Sequence, residues 1–184
     1  MTLVVLDLGT NIDREESLAA ALEHLADHFE LKRASSVFRT TPVGMLNQPD
    51  FYNVSLEVET DKSIDQIRDI VRSIEDKMGR DRTGPKFGPR NIDIDIVVYG
   101  DTVDEEKRVP HPQSSSELFV VAPIAELCPD GKHPKTGETW KDLRSKLVNG
   151  RIPKDAGVDR QCDLAALPLG EKAKSALVKG GSVV

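Results

Sequence analysis

KFGPRNIDIDIVVYG, residues 86–100, holds the feature on which the reading of this chain turns. Ile92, Ile94, Ile96, Val97, Val98 and Tyr99 have the β-branched and aromatic character of a strand. Yet Asp93 and Asp95 interrupt it, directly after a Gly-Pro-Arg. Side chains alternate faces along a strand, so Ile92, Ile94, Ile96 and Val98 share one face, while Asp93, Asp95 and Val97 share the other. The isoleucine face belongs to a core. The aspartate face sets two carboxylates side by side; unpartnered, they repel, and one tends to take up a proton. A solvated edge strand tolerates such alternation, and so does a strand whose acidic face holds a cation.

The preceding loop bears on that choice. RDRTGPKFGPR, residues 80–90, carries Arg80, Arg82, Lys86 and Arg90 against the single Asp81, in a chain of net charge −6. Two Gly-Pro pairs make it a loop rather than a helix. Taken alone, such a loop reads as a solvated basic segment. Beside two carboxylates it reads differently. Paired carboxylates suit magnesium, a hard cation that shares its oxygen shell with substrate phosphates. Guanidinium groups suit the phosphate oxygens the metal leaves uncovered. Together they compose a phosphoryl-transfer site, in which catalysis is largely positioning and charge neutralisation. The Gly-Pro punctuation fits a loop that closes over a nucleotide. The chain has neither the G-x-x-x-x-G-K-[ST] loop nor a G-x-G-x-x-G after a strand, and it has no G-x-S-x-G.

Outward from this strand the pattern is regular. LVVLDL (3–8) is an apolar run and predicts a buried strand. Asp13 with Glu16 resembles a capping box, opening a helix whose stripe is Leu18, Ala21, Leu22, Leu25 and Phe29. ASSVFRT (34–40) predicts a second strand. FYNVSLEVE (51–59) predicts a third, with Tyr52, Val54, Leu56 and Val58 toward the core and Phe51 and Asn53 on the opposite face. Ser63 and Gln66 form another capping box. Ile64, Ile67, Val71, Ile74 and Met78 stripe a second helix closed by Gly79. With the Ile92–Tyr99 strand the order is β-α-β-β-α-β, a ferredoxin-like α/β (α+β) sandwich with an antiparallel sheet and helices on one face. The other face, carrying Asp93, Asp95, Phe51 and Asn53, is expected to stay free for a site. ELFVVAPIAEL (117–127) and TWKDLRSKL (139–147) add C-terminal helical segments. From Val148 onward the chain reads as an irregular extension, loosely packed and dispensable for chemistry.

The chain has 184 residues, 30% charged and 38% hydrophobic, which suits one soluble domain large enough to bury a core. Its acidic balance argues against nucleic acid as a partner. No apolar run approaches a membrane span, and the N-terminus lacks a basic segment with a cleavage site, so a cytoplasmic protein is expected, with no membrane partner. Cys128 and Cys162 compose neither a zinc site nor a disulfide framework. His24 and His28, spaced i, i+4, read as a polar helix flank.

GPRNIDIDIVVYG, together with FRTTPVG (38–44), NQPDFYN (47–53), VPHP (109–112) and FVVAPIAEL (119–127), resembles the 6-hydroxymethyl-7,8-dihydropterin pyrophosphokinases of folate biosynthesis over residues 1–147. The resemblance implies that ATP, as co-substrate, gives its terminal pyrophosphoryl group to the pterin hydroxymethyl and leaves as AMP. It implies two magnesium ions on Asp93 and Asp95, and catalytic roles for Arg80, Arg82 and Arg90. Thr40, Pro42, Val43, Phe51, Asn53 and Phe119 fall on the pterin site, with the two phenylalanines stacking the ring. Glu75, Lys86, Ile96, Arg108 and His111 fall on the nucleotide site. The implied partners are these small molecules, and a monomer is expected.

The chain also departs from the family pattern. In HPQSSSELF, Gln113 and Glu117 stand where the family usually carries arginines, and Lys107 or Arg108 is expected to take over that contact with the nucleotide. A relative that binds pterin or nucleotide without turnover is the alternative. A ferredoxin-like RNA-binding module fits less well, since the sheet lacks the aromatic pattern such modules use. The retained aspartate pair and loop arginines favour catalysis.

Overall fold

Alternation along β1 (Thr2–Thr10), β4 (Phe51–Thr60) and β5 (Asp93–Tyr99) sends Val4, Leu6, Leu8, Val54, Leu56, Val58, Ile94 and Ile96 to one side of a sheet. There they meet Leu18, Leu22 and Leu25 of α1 (Arg14–Ala26) and Ile67, Val71 and Ile74 of α2 (Ile64–Lys77). The structure is a computed structural model and describes residues 1–83, 88–150, 158–162 and 164–179. The further elements are β2 (Glu30–Ala34), β3 (Val37–Thr40), α3 (Leu118–Leu127), α4 (Trp140–Asn149), β6 (Val158–Cys162) and α5 (Glu171–Lys179). Every strand pairing is antiparallel. The order is β5-β1-β4-β3-β6, with β2 also on β4. Reading β2 and β3 as one interrupted strand gives the ferredoxin-like order, with β1 and β4 central.

The strand expected at 34–40 forms only from Val37, as β3, and Ala34 ends a separate strand, β2, that was not expected. Ser35 exchanges hydrogen bonds with Ser55: its N–H donates to the Ser55 carbonyl at 2.9 Å, and its Oγ accepts from the Ser55 N–H at 3.0 Å. Ser36 turns elsewhere, donating from its N–H and Oγ to the Glu126 carboxylate of α3 at 2.8 and 3.0 Å. That diversion breaks the ladder. At the start of α1 the expected capping box is absent, because Asp13 sits at φ 43° and its side chain makes no cap bond. Phe29 joins the core from the turn after the helix. The Ser63–Gln66 box is formed, and Gly79 follows α2 at φ 78°.

α1 and α2 cover one face as expected, and the C-terminal helical segments cover part of the other. α3 is apolar around nearly its whole circumference, so it must be covered on several sides. It packs with α4 on the second face, where Val120, Val121, Ile124, Trp140 and Leu143 meet Val5 and Val97. A register shift between Val5 and Leu6 lets Val98, expected beside the isoleucines, lie against this second cluster instead. The end of the second face nearest Asn53 and Asp93 lines a cavity.

Residues 148–184 are likewise not an irregular extension where they are described. α4 runs on to Asn149, β6 extends the sheet beside β3, and α5 docks on α1 and β2. Leu164, Leu167, Leu169, Ala173 and Leu177 enter the main core. Leu169, Ala173 and Leu177 are spaced i, i+4, i+8, but so short a stripe between Pro168, Gly170 and the terminal glycines was hidden in the sequence. Leu164 is fully enclosed, so Leu164→Ala is expected to lower unfolding free energy in urea by about 2–5 kcal/mol. A loss under about 1 kcal/mol would show that the segment lies outside the cooperative unit.

Candidate active site

Register places the polar residues of three strands in two rows on the second face. Asn53, Gly9 and Asp93 form one row across β4, β1 and β5, and Ser55, Asp7 and Asp95 form the next. Gly9 is small for a reason: a Cβ there would stand 3.0 Å from the Asn53 Oδ1. The missing side chain leaves an open floor between the Asn53 amide and the Asp93 carboxylate.

Above this floor lies a cavity of about 230 Å³. Phe51 from β4 and Phe119 from α3 both line it, as do Thr40, Val43 and Asn53. Asn53 Nδ2 donates to Thr40 Oγ1 at 2.6 Å, so both side chains are fixed before anything binds. Pro42 is buried beside this wall but does not line the cavity, whereas Thr41, not singled out in the sequence, does. A second cavity, of about 400 Å³, is bounded by the Ile94 and Ile96 side of β5 and by α2, with Arg68, Arg72, Glu75, Glu106 and Arg108 on its walls. Asp93, Asp95 and His111 belong to both. The two aspartates therefore stand where the cavities meet.

Charge around them is balanced by the loop arginines. Arg80 donates to the Ile92 carbonyl at 2.6 Å and to Asp93 Oδ1 at 3.0 Å. Arg90 pairs with Asp93 Oδ2 and lies over the Phe51 ring at 5.8 Å. Among the described residues Asp95 has no such direct pairing with an arginine; its side chain is half exposed, and desolvation by the surrounding walls, with Asp93 beside it, pushes its carboxyl up to about 6. Asp7, cross-strand from Asp95, was not singled out in the sequence because it sits inside an apolar run. Ser55 Oγ donates to it, yet burial and the charge of Asp95 hold its carboxyl well above the usual range. The signal was available: position 7 shares its strand parity with Gly9, on the polar face.

His111 is held by its own backbone, whose N–H donates to the Val97 carbonyl at 2.9 Å. Its Nδ1 accepts from the Gln113 N–H at 3.4 Å, and its Nε2 lies 4.0 Å from Asp95 Oδ2. Burial and Arg108 lower its affinity for a proton, and with Nδ1 accepting from Gln113, Nε2–H is the nitrogen that faces the aspartate. Glu75 is buried and takes up the Ile94 N–H at 2.9 Å. Arg82 folds back onto α2, pairing with Glu75 at 2.7 Å and with Asp76, and so is not brought to the aspartates. Lys86 lies outside the described residues. Glu117 stands at the cap of α3 and lines neither cavity. Of the two cations expected to compensate, Lys107 pairs with Asp65, and Arg108 lines the second cavity.

The donor set fits a magnesium ion shared with a substrate. Among the described residues no three His, Cys, Asp or Glu side chains are placed to enclose a metal. Asp93 and Asp95 offer hard oxygen donors at an open junction, which leaves the rest of an octahedral shell to phosphate and water. No described helix is long and apolar enough to cross a membrane.

Comparison with known proteins shows the family of the chain. The sequence profile of the 7,8-dihydro-6-hydroxymethylpterin-pyrophosphokinase (HPPK) family matches residues 5–129. A 2-amino-4-hydroxy-6-hydroxymethyldihydropteridine pyrophosphokinase of Methylorubrum extorquens is 37% identical over 152 residues, covering 80% of this chain and 94% of that one. Its counterpart in Aquifex aeolicus is 35% identical over 147 residues, covering 78% and 91%, and that of Bacillus subtilis 36% over 126 residues, covering 66% and 75%. Among solved structures, wild-type Plasmodium falciparum HPPK-DHPS with pteroate superposes with a TM-score of 0.69 at 15% identity, over 86% of this chain and 47% of that one. This chain thus spans about half the length of the Plasmodium chain, and the likeness at that identity concerns the fold.

The strained floor has a measurable consequence. A carboxyl whose folded pKa is raised binds its proton more tightly when folded, so it detracts from stability once pH rises through that value. Asp7→Asn keeps an acceptor for Ser55 and removes the charge. In magnesium-free buffer the variant is expected to raise Tm at pH 7.5 by about 2–4 °C, with a smaller gain at pH 5. An equal gain at both pH values would refute the charge explanation.

Proposed function

Because the chain belongs to the 7,8-dihydro-6-hydroxymethylpterin-pyrophosphokinase family, we propose that it transfers the pyrophosphoryl group of ATP to the hydroxymethyl oxygen of 6-hydroxymethyl-7,8-dihydropterin. The products are AMP and the pterin diphosphate. The observation that carries this reading is the meeting of two cavities at Asp93, Asp95 and His111. One has the aromatic walls and fixed amide suited to a flat heterocycle; the other is lined by arginines suited to a polyphosphate.

The pterin ring lies between Phe51 and Phe119, with the Asn53 amide on its polar edge. Gly9 leaves space for the hydroxymethyl arm to reach toward Asp93. ATP occupies the second cavity, its ribose end toward Glu75 and Ile96 and its phosphates toward Arg108 and His111. The hydroxymethyl oxygen forms a bond to the β-phosphorus as the bond from that phosphorus to the α-phosphate bridging oxygen breaks. The hydroxyl proton is released and AMP departs. Asp93 and Asp95 would hold two magnesium ions, which supply charge neutralisation of the triphosphate and alignment of its phosphorus with the hydroxyl. Arg80 and Arg90, already at Asp93, meet the phosphate oxygens that remain. The neutral His111 donates from Nε2. Arg82, on the segment after α2, would meet the nucleotide once released from Glu75 and Asp76. Turnover requires this proximity more than any covalent chemistry.

Two measurements test the reading. AMP release from ATP, magnesium and the hydroxymethyl dihydropterin is expected for the native chain, and Asp93→Ala or Asp95→Ala should lower it by about a hundredfold or more while the fold persists. Pterin binding without any AMP release by the native chain would favour the alternative, a binding protein related to the family. The second measurement is pH dependence. Asp95 must be ionised to accept a cation, and its carboxyl sits at about 6. Magnesium-dependent ATP affinity should therefore be level above pH 7 and fall by up to about tenfold per unit below pH 6. Affinity that is flat from pH 8 to 5 would remove Asp95 from the metal site.

A further inference from the structure

The segment that carries His111 is fastened at one more point, and that point lies outside both cavities. His133, in the loop between α3 and α4, is 2% exposed, and Ser114 beside it is 1% exposed. His133 Nδ1 accepts from the N–H groups of Lys135 and Thr136, each at 3.2 Å. A nitrogen that accepts two N–H donors carries no proton, so the ring is the Nε2–H tautomer. Nε2 stands 2.8 Å from Ser114 Oγ and donates to it, because Ser114 Oγ in turn donates to the His111 carbonyl. Burial lowers the affinity of His133 for a second proton, and Trp140 packs edge-on at 5.2 Å between ring centroids, which fixes the ring plane.

We propose that His133 is a positioning residue for nucleotide binding: through the directed chain His133 Nε2–H to Ser114 Oγ–H to the His111 carbonyl, it sets the turn that aims His111 Nε2 at the junction of the two cavities. The direction of the chain matters. Ser114 can give its only proton to the His111 carbonyl because His133 supplies a donor rather than a second acceptor. The same turn places the Gln113 N–H on His111 Nδ1, and that bond leaves Nε2 as the protonated nitrogen facing Asp95. A residue 22 positions along the chain from His111 thus selects which of its nitrogens serves the phosphates.

The kinetic consequence rests on the proposed ATP reaction, so the test includes a readout that needs no nucleotide. The side-chain 15N–1H spectrum of the full chain reports the tautomer of each histidine. In the native protein His111 and His133 are both expected as Nε2–H. His133→Asn retains an acceptor for the Lys135 and Thr136 N–H groups but loses the reach to Ser114; it should shift the His111 resonances toward a tautomer mixture. His133→Gln keeps a donor within reach of Ser114 and should leave them near native. With ATP varied, His133→Asn should raise KM for ATP about fivefold, the loss of one neutral hydrogen bond, with KM for the pterin unchanged. His133→Gln should restore most of it. If His133→Asn does not fold, Ser114→Ala, which removes one oxygen, carries the same expectations. A native His111 spectrum with native KM for ATP in His133→Asn or Ser114→Ala would overturn the proposal, and so would an equal rise in KM for both substrates. Should the native chain release no AMP while His111 still responds to His133→Asn, the proposed reaction fails and the positioning role stands.

Discussion

The constraint on which the site depends is the crowding of like charge on one sheet face. Strand pairing puts Asp7 directly across from Asp95, and Asp93 lies two residues along the same strand face. Side chains paired across antiparallel strands have Cβ atoms about 4.5–5.5 Å apart, a separation at which two carboxylates repel strongly when desolvated. The fold answers with groups from outside the sheet. Arg80 and Arg90 approach Asp93 from the loop after α2, Ser55 donates to Asp7 from the neighbouring strand, and Asp95 remains partly compensated. On the proposed reaction, a face so arranged would attract a cation at the junction of the two cavities.

The same constraint explains why a covering helix lies on that face at all. α3 does not sit over the aspartates; it sits over Val5 and Val97, where the floor is apolar. Its N-terminal end brings Phe119 to the rim opposite Phe51, and its C-terminal end engages the polar backbone of Ser36 through Glu126. One helix therefore closes the core at one end and shapes the cavity at the other. The break between β2 and β3 is part of that anchoring, because the donors at Ser36 that leave the ladder are the ones that hold Glu126.

Period-two patterning made β4 and β5 legible, and their parity correctly put Phe51, Asn53, Asp93 and Asp95 on one face. The Ser63–Gln66 cap and the stripe of α2 were legible for the same reason: each is a local pattern that the local structure satisfies. What escaped is non-local. Ser36 leaves its strand for a carboxylate 90 residues away, and nothing within seven residues of it signals that. The apolar residues after 163 carry a helical period only over Leu169, Ala173 and Leu177, a stripe too short to stand out, and α5 packs it on α1 and β2. Asp7 escaped because five apolar neighbours outweigh one carboxylate in any window average, although its parity placed it on the polar face. Arg82 and Glu117 were assigned through resemblance, and the fold directs one onto α2 and the other to a helix cap.

The ion pairs around Asp93 bear on how binding can be favourable at a site already neutralised. Partly buried pairs are costly to break when one partner is left bare, and about neutral to exchange when each charge finds a new partner. Among the described residues Arg80 and Arg90 share the Asp93 carboxylate, and Asp95 has no guanidinium in direct contact. On the proposed reaction, a nucleotide arriving with its magnesium brings both signs of charge at once. Each guanidinium can trade carboxylate for phosphate oxygen while the carboxylates take the cation, and no buried charge is stranded. Nucleotide without metal would offer phosphates to the arginines but leave Asp93 and Asp95 facing more negative charge; metal alone would leave two guanidinium groups without their carboxylate. On that reading the pairing around Asp93 would disfavour either half-reaction and favour the joint one, and the sheet register that crowds the aspartates would couple the binding of metal to the binding of nucleotide.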